Sequence, residues 1–206
     1  MLISGLDEAG RGPVLSSLVI CLASIAHKNE KELIDLGVDD SKKLTPSKRE
    51  QLFPELERIC APKFRIISAS ELNRRMGKES LNLIEALAMG ELASSVEGRV
   101  YIDLPEKYPD KFIAKAGLTH RDVVAEHKAD ANYPIVGAAS ILAKVVRDRL
   151  IERLAEEVGE IGSGYPADER TINALKDPVK RQKLKGHIRE KWSTMDRVLQ
   201  PKLTDF

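Results

Sequence analysis

Leu2-Ile3-Ser4-Gly5-Leu6-Asp7-Glu8-Ala9-Gly10-Arg11-Gly12-Pro13 is a short apolar run that ends on two acids and a glycine-rich turn. Leu2 to Leu6 reads as a strand, and Gly10, Gly12 and Pro13 mark a turn. Val14 to Ile25, rich in Val, Ile and Leu, reads as a second strand, so the two are expected to form a hairpin. Adjacent strand residues point to opposite faces. Asp7 and Glu8 therefore reach one site only if the backbone bends, which the nearby glycines permit. Asp7 is the better placed of the two as a direct ligand. The stretch nearly matches a phosphate-binding P-loop, but that loop needs Lys and then Ser or Thr, followed by a helix. Here Arg11 and Gly12 stand in those places and Pro13 leads into a strand, so the P-loop is rejected.

Helical spacing of Leu52, Leu56 and Ile59 predicts a helix over Ser47 to Cys60, with Pro46 at its start. Lys63 to Ser68 is a strand candidate, Glu79 to Val96 a helix and Arg99 to Leu104 a buried strand ending on Asp103. Val123 to Ala125 leads into Glu126-His127-Lys128-Ala129-Asp130. Tyr133-Pro134 opens a long helix whose stripe runs through Val136, Ala139, Leu142, Val145, Val146, Leu150 and Leu154 to about Gly159. After a loop at Gly162 to Pro166, Thr171 to Lys176 and Lys180 to Val198 read as helices. Strands first, then helix–strand alternation, then helices predict an α/β fold: a mixed β-sheet flanked by helices with a helical C-terminal extension. Without repeats or a linker, residues 1–206 are expected to form a single domain, with a helical cap at about 170–198 and a tail at 199–206.

The chemistry lies in acids at the ends of expected strands: Asp7 and Glu8, Asp103 and Asp130. Clustered carboxylates repel one another at neutral pH, and hard divalent cations such as Mg²⁺ or Mn²⁺ relieve that repulsion through oxygen ligands. Two such ions can activate a water and stabilise the leaving oxygen of a phosphodiester. Taken singly, each acid reads better as a solvated loop residue or a helix cap; their joint placement at three expected strand ends weakens that reading.

The chain has 33 Lys and Arg against 32 Asp and Glu, a net charge of +1, so any surface for nucleic acid is local rather than global. Its hydrophobic content of 42% supports a sizeable core. Cys21 and Cys60 fit no zinc spacing and read as reduced, buried thiols. Val14 to Ala26 is interrupted by serines and too short to span a bilayer. A monomeric, soluble, cytoplasmic protein without a membrane partner is expected.

These segments together resemble the ribonuclease HII family. The resemblance runs through Asp7-Glu8-Ala9-Gly10-Arg11-Gly12-Pro13, Asp40-Ser41-Lys42-Lys43-Leu44, Tyr101-Ile102-Asp103 and Lys128-Ala129-Asp130. It continues through Ala138-Ala139-Ser140-Ile141-Leu142-Ala143-Lys144 and Gly164-Tyr165, in the family's order. The stretches Lys128 to Tyr133 and Ser163 to Thr171 resemble archaeal members of that family. The resemblance implies a ribonuclease H-like fold and a four-carboxylate catalytic and metal site at Asp7, Glu8, Asp103 and Asp130. It implies two-metal hydrolysis of the RNA strand in RNA–DNA hybrids and cutting 5′ of ribonucleotides in duplex DNA, leaving a 3′-hydroxyl and a 5′-phosphate. It assigns the backbone of Gly10, Arg11 and Gly12 to the ribose 2′-hydroxyl, the group that separates RNA from DNA, and Tyr165 to the sugar at the RNA–DNA junction. Ser41, Lys42 and Lys43 then fit phosphate contacts. Glu126 and His127 lie nearby, with a structural role favoured for His127.

From Lys176 to Lys191 there are seven basic residues against two acidic ones, Asp177 and Glu190. A basic helix there would hold a duplex backbone; a solvated face is the equal alternative. A binding module without catalysis gains nothing from a negative cluster facing phosphates. A junction resolvase accounts for the acids but not for Gly10-Arg11-Gly12 with Tyr165. The tail Gln200-Pro201-Lys202-Leu203-Thr204-Asp205-Phe206 resembles the short peptide by which archaeal and eukaryotic replication proteins bind the sliding clamp. In that resemblance Gln200, Leu203 and Phe206 are the contacts, and their spacing of three suits one turn of 3₁₀ helix.

Overall fold

Both faces of the first two strands are covered, so their sequences run apolar instead of alternating. β1 (Leu2–Ala9) is buried from Ile3 to Asp7, and β2 (Leu18–Ala26) from Leu18 to Ala23. The computed structural model describes residues 1–38 and 44–199. With β3 (Lys63–Ile67), β4 (Arg99–Asp103) and β5 (Val123–Glu126), the strands form a five-stranded sheet in the order β3-β2-β1-β4-β5. β1 is antiparallel to β2 but parallel to β4, and β4 is parallel to β5, so the sheet is mixed. The helices are α1 (Glu30–Asp35), α2 (Pro46–Cys60), α3 (Ala69–Arg75), α4 (Leu81–Ser94), α5 (Pro109–Lys115), α6 (Ala129–Asn132), α7 (Pro134–Val158), α8 (Glu169–Lys176), α9 (Pro178–Lys183) and α10 (Ser193–Leu199). Among the described residues no helix is long and apolar enough to cross a membrane.

The chain divides into two compact units. The first holds Met1–Ala9, Val19–Ile66 and Glu79–Val146; the second holds Gly10–Leu18, Ile67–Lys78 and the described residues from Arg147 onward. In the first, Ile3, Leu6, Ile20, Leu22, Val100 and Ile102 are buried on the sheet, with Ile135, Val136 and Ala139 of α7. The core of the second is built by Val14, Leu15, Ile151, Leu154, Ile161, Leu175, Leu184 and Ile188, with Trp192 packed against it.

Local chemistry sets the element ends. Thr45, Ser68 and Ser80 each accept a hydrogen bond from the backbone N–H three residues on, at 3.1–3.2 Å, and so start α2, α3 and α4. At the other end of α4, Arg121 Nη2 donates to the carbonyls of Ala93 and, just past the helix, Val96.

Three departures from the expected elements have identifiable causes. β1 and β2 are paired neighbours, but their connection is a long loop instead of a tight turn, and Val14 to Ser17 lie outside β2. Ser16 has φ +73°, which interrupts an extended run, and Gly164 O accepts from the N–H groups of Val14 (2.8 Å) and Leu15 (3.3 Å). α3 was not among the expected elements, although Ser68-Ala69-Ser70-Glu71 is a capping signature. The single helix expected over Lys180 to Val198 is two helices. α9 stops at Lys183, Gly186 takes φ +91°, and Ile188 forms an extended bridge with Leu15 before α10 begins. Leu184, Ile188 and Met195 are all buried, so the apolar spacing was real although the helix carrying it is broken.

Candidate active site

The first unit places three carboxylates by register. Leu6 pairs with Ile102 across β1 and β4, so the next residues, Asp7 within β1 and Asp103 at the end of β4, stand side by side on neighbouring parallel strands. Asp103 Oδ1 accepts from the Ala129 N–H at 3.0 Å and so anchors the first turn of α6, where Asp130 sits. Ligand oxygens of Asp7, Asp103 and Asp130 all lie within 4.8 Å of one another, with Asp7 and Asp130 buried. Two unit charges that close repel by roughly 3 kcal/mol even at an effective dielectric constant of about 20. Three ionised carboxylates there call for a compensating cation.

Asp7 shows the strain of this arrangement most. Burial, with a smaller push from the Asp103 charge, raises its carboxyl to about 7 from the ordinary 3.8. A hydrogen bond from Ser140, the Lys144 charge and the Glu8 N–H (2.7 Å) pull the other way. Lys144 Nζ donates in turn to Ser140 Oγ, one helical turn earlier on α7. Two glycines bring α7 close enough for these contacts. A Cβ on Gly5, two residues before Asp7, would lie 2.5 Å from the backbone C and O of Ile135. A Cβ on Gly137 would lie 2.3 Å from Val38 O and 3.2 Å from Asp130 O.

Glu8 is not among the three clustered acids. It is half-buried, next to last in β1 and opposite Ile20, as strand alternation leads one to expect. Glu126 also lies outside the cluster and accepts from Asn132 Nδ2 at 2.7 Å, while His127 is exposed. Both cysteines are buried free thiols, and burial raises the Cys60 thiol to about 12.

The second unit brings Gly10, Arg11 and Gly12 to Tyr165. A Cβ on Gly12 would lie 3.6 Å from Tyr165 Cε1, so this bare backbone faces the ring, and Tyr165 is 40% exposed. The loop beneath the tyrosine is tied from below. Thr171 Oγ1 accepts from Gly164 N (2.9 Å) and donates to Ile161 O (2.9 Å), while Asp168 Oδ2 accepts from Ser163 N (2.8 Å). The guanidinium of Arg147 stacks on the ring, 4.8 Å from its centroid. Of the seven basic residues between Lys176 and Lys191, Arg189 is wholly buried while Lys176, Lys183, Lys185 and Lys191 are exposed. Ser41, Lys42, Lys43, Gln200, Leu203 and Phe206 lie outside the described residues.

The family model for ribonuclease HII matches residues 4–195. The chain belongs to the ribonuclease HII family. It is 42% identical to the ribonuclease HII of Methanocaldococcus jannaschii, over 97% of this chain and 95% of that one. Its structure is similar to that of the Pyrococcus horikoshii ribonuclease H2 (TM-score 0.86, 41% identity, 96% and 97% of the two chains). It is also similar to the Archaeoglobus fulgidus ribonuclease HII in its complex with PCNA (TM-score 0.87, 40% identity, 99% and 100% covered). The ribonuclease HIII of the Bst enzyme, in complex with Mn²⁺, shares the fold at 21% identity and TM-score 0.80. The expected ribonuclease H-like fold is thereby met, and membership of the ribonuclease HII family makes this chain an endoribonuclease hydrolase.

Four side chains around these motifs were not singled out as site residues from the sequence: Ser140, Lys144, Arg147 and Arg189. For Ser140 and Lys144 a signal exists, since a polar pair at i, i+4 interrupts an otherwise apolar stripe. Arg189 carries no such signal, because it stands within a basic run that resembles a solvated face.

Proposed function

We propose that this ribonuclease HII hydrolyses the RNA strand of RNA–DNA hybrids and cuts on the 5′ side of ribonucleotides embedded in duplex DNA. The reaction is two-metal-ion hydrolysis that leaves a 3′-hydroxyl and a 5′-phosphate. The observation that carries the reading is the Asp7–Asp103–Asp130 cluster, whose oxygens lie within 4.8 Å of one another. All its donors are carboxylate oxygens, which suits Mg²⁺ or Mn²⁺. Asp7, Asp103 and Asp130 would hold the ions, with Glu8 as a fourth carboxylate at the same strand end. Bound there, such ions supply a more acidic water and charge stabilisation for the leaving oxygen.

The remaining work falls to the chain itself. Lys144 and Ser140 hold the Asp7 carboxyl in place. The backbone of Gly10, Arg11 and Gly12 reads the ribose 2′-hydroxyl, which side-chain-free glycines let approach closely. Tyr165, facing Gly12, lies against the sugar at the junction. Ser41, Lys42 and Lys43 contact phosphates, and the exposed lysines Lys176, Lys183, Lys185 and Lys191 add salt-sensitive backbone attraction. The tail, through Gln200, Leu203 and Phe206, binds a sliding clamp, a reading supported by the PCNA complex of the Archaeoglobus relative.

The test is incubation with a DNA duplex carrying one ribonucleotide, with Mg²⁺, Mn²⁺ or EDTA. A single cut 5′ of the ribonucleotide that needs the metal is expected. Cutting only in continuous hybrids, or equal cutting in EDTA, overturns it.

A further inference from the structure

Two arginines of the second unit are buried at positions where arginine is costly. Arg189 is 0% exposed and Arg147 is 6% exposed. Arg189 holds the Gly10–Leu18 segment at three points. Its Nε donates to Ser16 O (2.9 Å), its Nη1 to Arg11 O (3.2 Å) and its backbone N–H to Val14 O (2.8 Å). Arg147 lies under Tyr165. Its Nη2 donates to Ser163 O, two residues before the tyrosine, and its Nη1 to Asp148 Oδ1 at 3.0 Å.

Gly10 sits against both. A Cβ there would lie 3.3 Å from Arg147 Cγ and 3.7 Å from Arg189 Nη2, and Gly10 itself takes φ +87°. The arrangement is not the cheapest way to fill the space. Burial and the neighbouring Arg147 charge lower the Arg189 guanidinium to about 10. Arg189 Nη2 and Arg147 Nε are buried without a hydrogen-bond partner among the described residues. Leucine or methionine would pack here without those costs. What arginine adds is direction: a planar fork aimed at backbone carbonyls, and a flat cation that sets the tilt of an aromatic ring.

We propose that Arg147 and Arg189 are the positioning residues for ribonucleotide selection. Arg189 fixes the backbone of Gly10, Arg11 and Gly12, Arg147 fixes the Tyr165 ring, and the shared contact at Gly10 keeps the two in register. Neither arginine touches the substrate. The proposal rests on the reading that Tyr165 and Gly10–Gly12 bind the ribonucleotide. A continuous hybrid offers a 2′-hydroxyl at every step, so a slightly misaligned reader still finds one. A single embedded ribonucleotide offers one chance, so misalignment is felt there first, and in kcat more than in KM.

The experiment measures kcat and KM for Arg147→Met, Arg189→Lys, Tyr165→Ala and the Arg147→Met/Tyr165→Ala double variant. The substrates are a duplex with one ribonucleotide and a continuous RNA–DNA hybrid of the same sequence, with melting temperatures recorded in parallel. The proposal expects Arg147→Met and Arg189→Lys to lower kcat on the single-ribonucleotide duplex at least tenfold more than on the hybrid. It also expects the double variant to be no worse than Tyr165→Ala alone, because coupled residues are not additive. Equal losses on both substrates that track melting temperature, or an additive double variant, overturn it. If Arg147→Met does not fold, the substrate ratio of Arg189→Lys decides by the same criterion. A Tyr165→Ala variant with unchanged substrate ratio overturns the reading of the site and this proposal together. A changed ratio in Tyr165→Ala with none in the arginine variants overturns the positioning role alone.

Discussion

The Asp103 carboxylate accepts a hydrogen bond from the backbone N–H of Ala129 at 3.0 Å. That bond joins the end of β4 to the turn that carries Asp130, so one acid anchors another acid's backbone. Asp103→Asn keeps an oxygen that can accept this bond, whereas Asp103→Ala does not. The asparagine variants Asp7→Asn, Asp103→Asn and Asp130→Asn are therefore expected to stay folded. Each should lose at least ~10²-fold in kcat, the scale on which single electrostatic contacts to developing charge act. Single-turnover cleavage with Mg²⁺ and Mn²⁺, beside circular dichroism, checks this; wild-type rates in all three variants would falsify the assignment.

The Asp7 carboxyl, at about 7 in the folded protein against an ordinary 3.8, sets a pH dependence. Between roughly pH 4 and 7 the unfolded chain gives up this proton while the folded one keeps it. The native state thus loses stability as pH rises through that window, and the loss is complete above it. Asparagine cannot ionise. In EDTA, Asp7→Asn should melt near wild type at pH 4 and above wild type at pH 8. A difference that stays flat across this range would contradict the assignment of the strain to Asp7.

Gly5 has no room for a methyl group, since a Cβ there would sit 2.5 Å from the Ile135 backbone. Gly5→Ala must push the start of α7 off β1, an overpacking that costs about 1–3 kcal/mol. Because Ser140 and Lys144 lie further along that helix, kcat should fall along with stability. Urea unfolding and kinetics on one preparation test the coupling; full stability in Gly5→Ala would show that the helix yields more easily than its packing indicates.

Tyr165 is 40% exposed, so removing its ring should leave the melting temperature nearly unchanged. Aromatic contacts to nucleotides are worth roughly 1–3 kcal/mol each. Tyr165→Ala should lose a corresponding five- to hundredfold, on the order of that energy, in kcat/KM at a single embedded ribonucleotide. Unchanged kcat/KM on that substrate would remove the tyrosine from recognition.

Deleting Gln200 to Phe206 should leave cleavage of short duplexes unchanged and abolish binding to an archaeal sliding clamp. Titration calorimetry reads the second effect. A tail that binds the clamp as proposed would raise local concentration on replicated DNA, so clamp affinity that survives the deletion would refute that role.

The sheet was legible because its strands are apolar runs bounded by turn residues; Asp7 and Asp103 stand where such runs end, while Asp130 follows β5 by four residues, in α6. Local chemistry of that kind acts over a few residues, and a sequence displays it directly. The break in the expected Lys180 to Val198 helix was not legible, because the spacing of Leu184, Ile188 and Met195 is satisfied by any path that buries them. It is the extended bridge between Leu15 and Ile188, residues 173 apart, that selects the path. The arginines follow the same rule. By itself the sequence determined that Asp103 ends its strand and that Asp7 closes the apolar run of β1, since such boundaries are set locally. Only the tertiary structure decided that Arg189 leaves the basic surface to bind the carbonyls of Arg11 and Ser16, because a residue's partners across such a separation are set by packing and not by its neighbours in the chain.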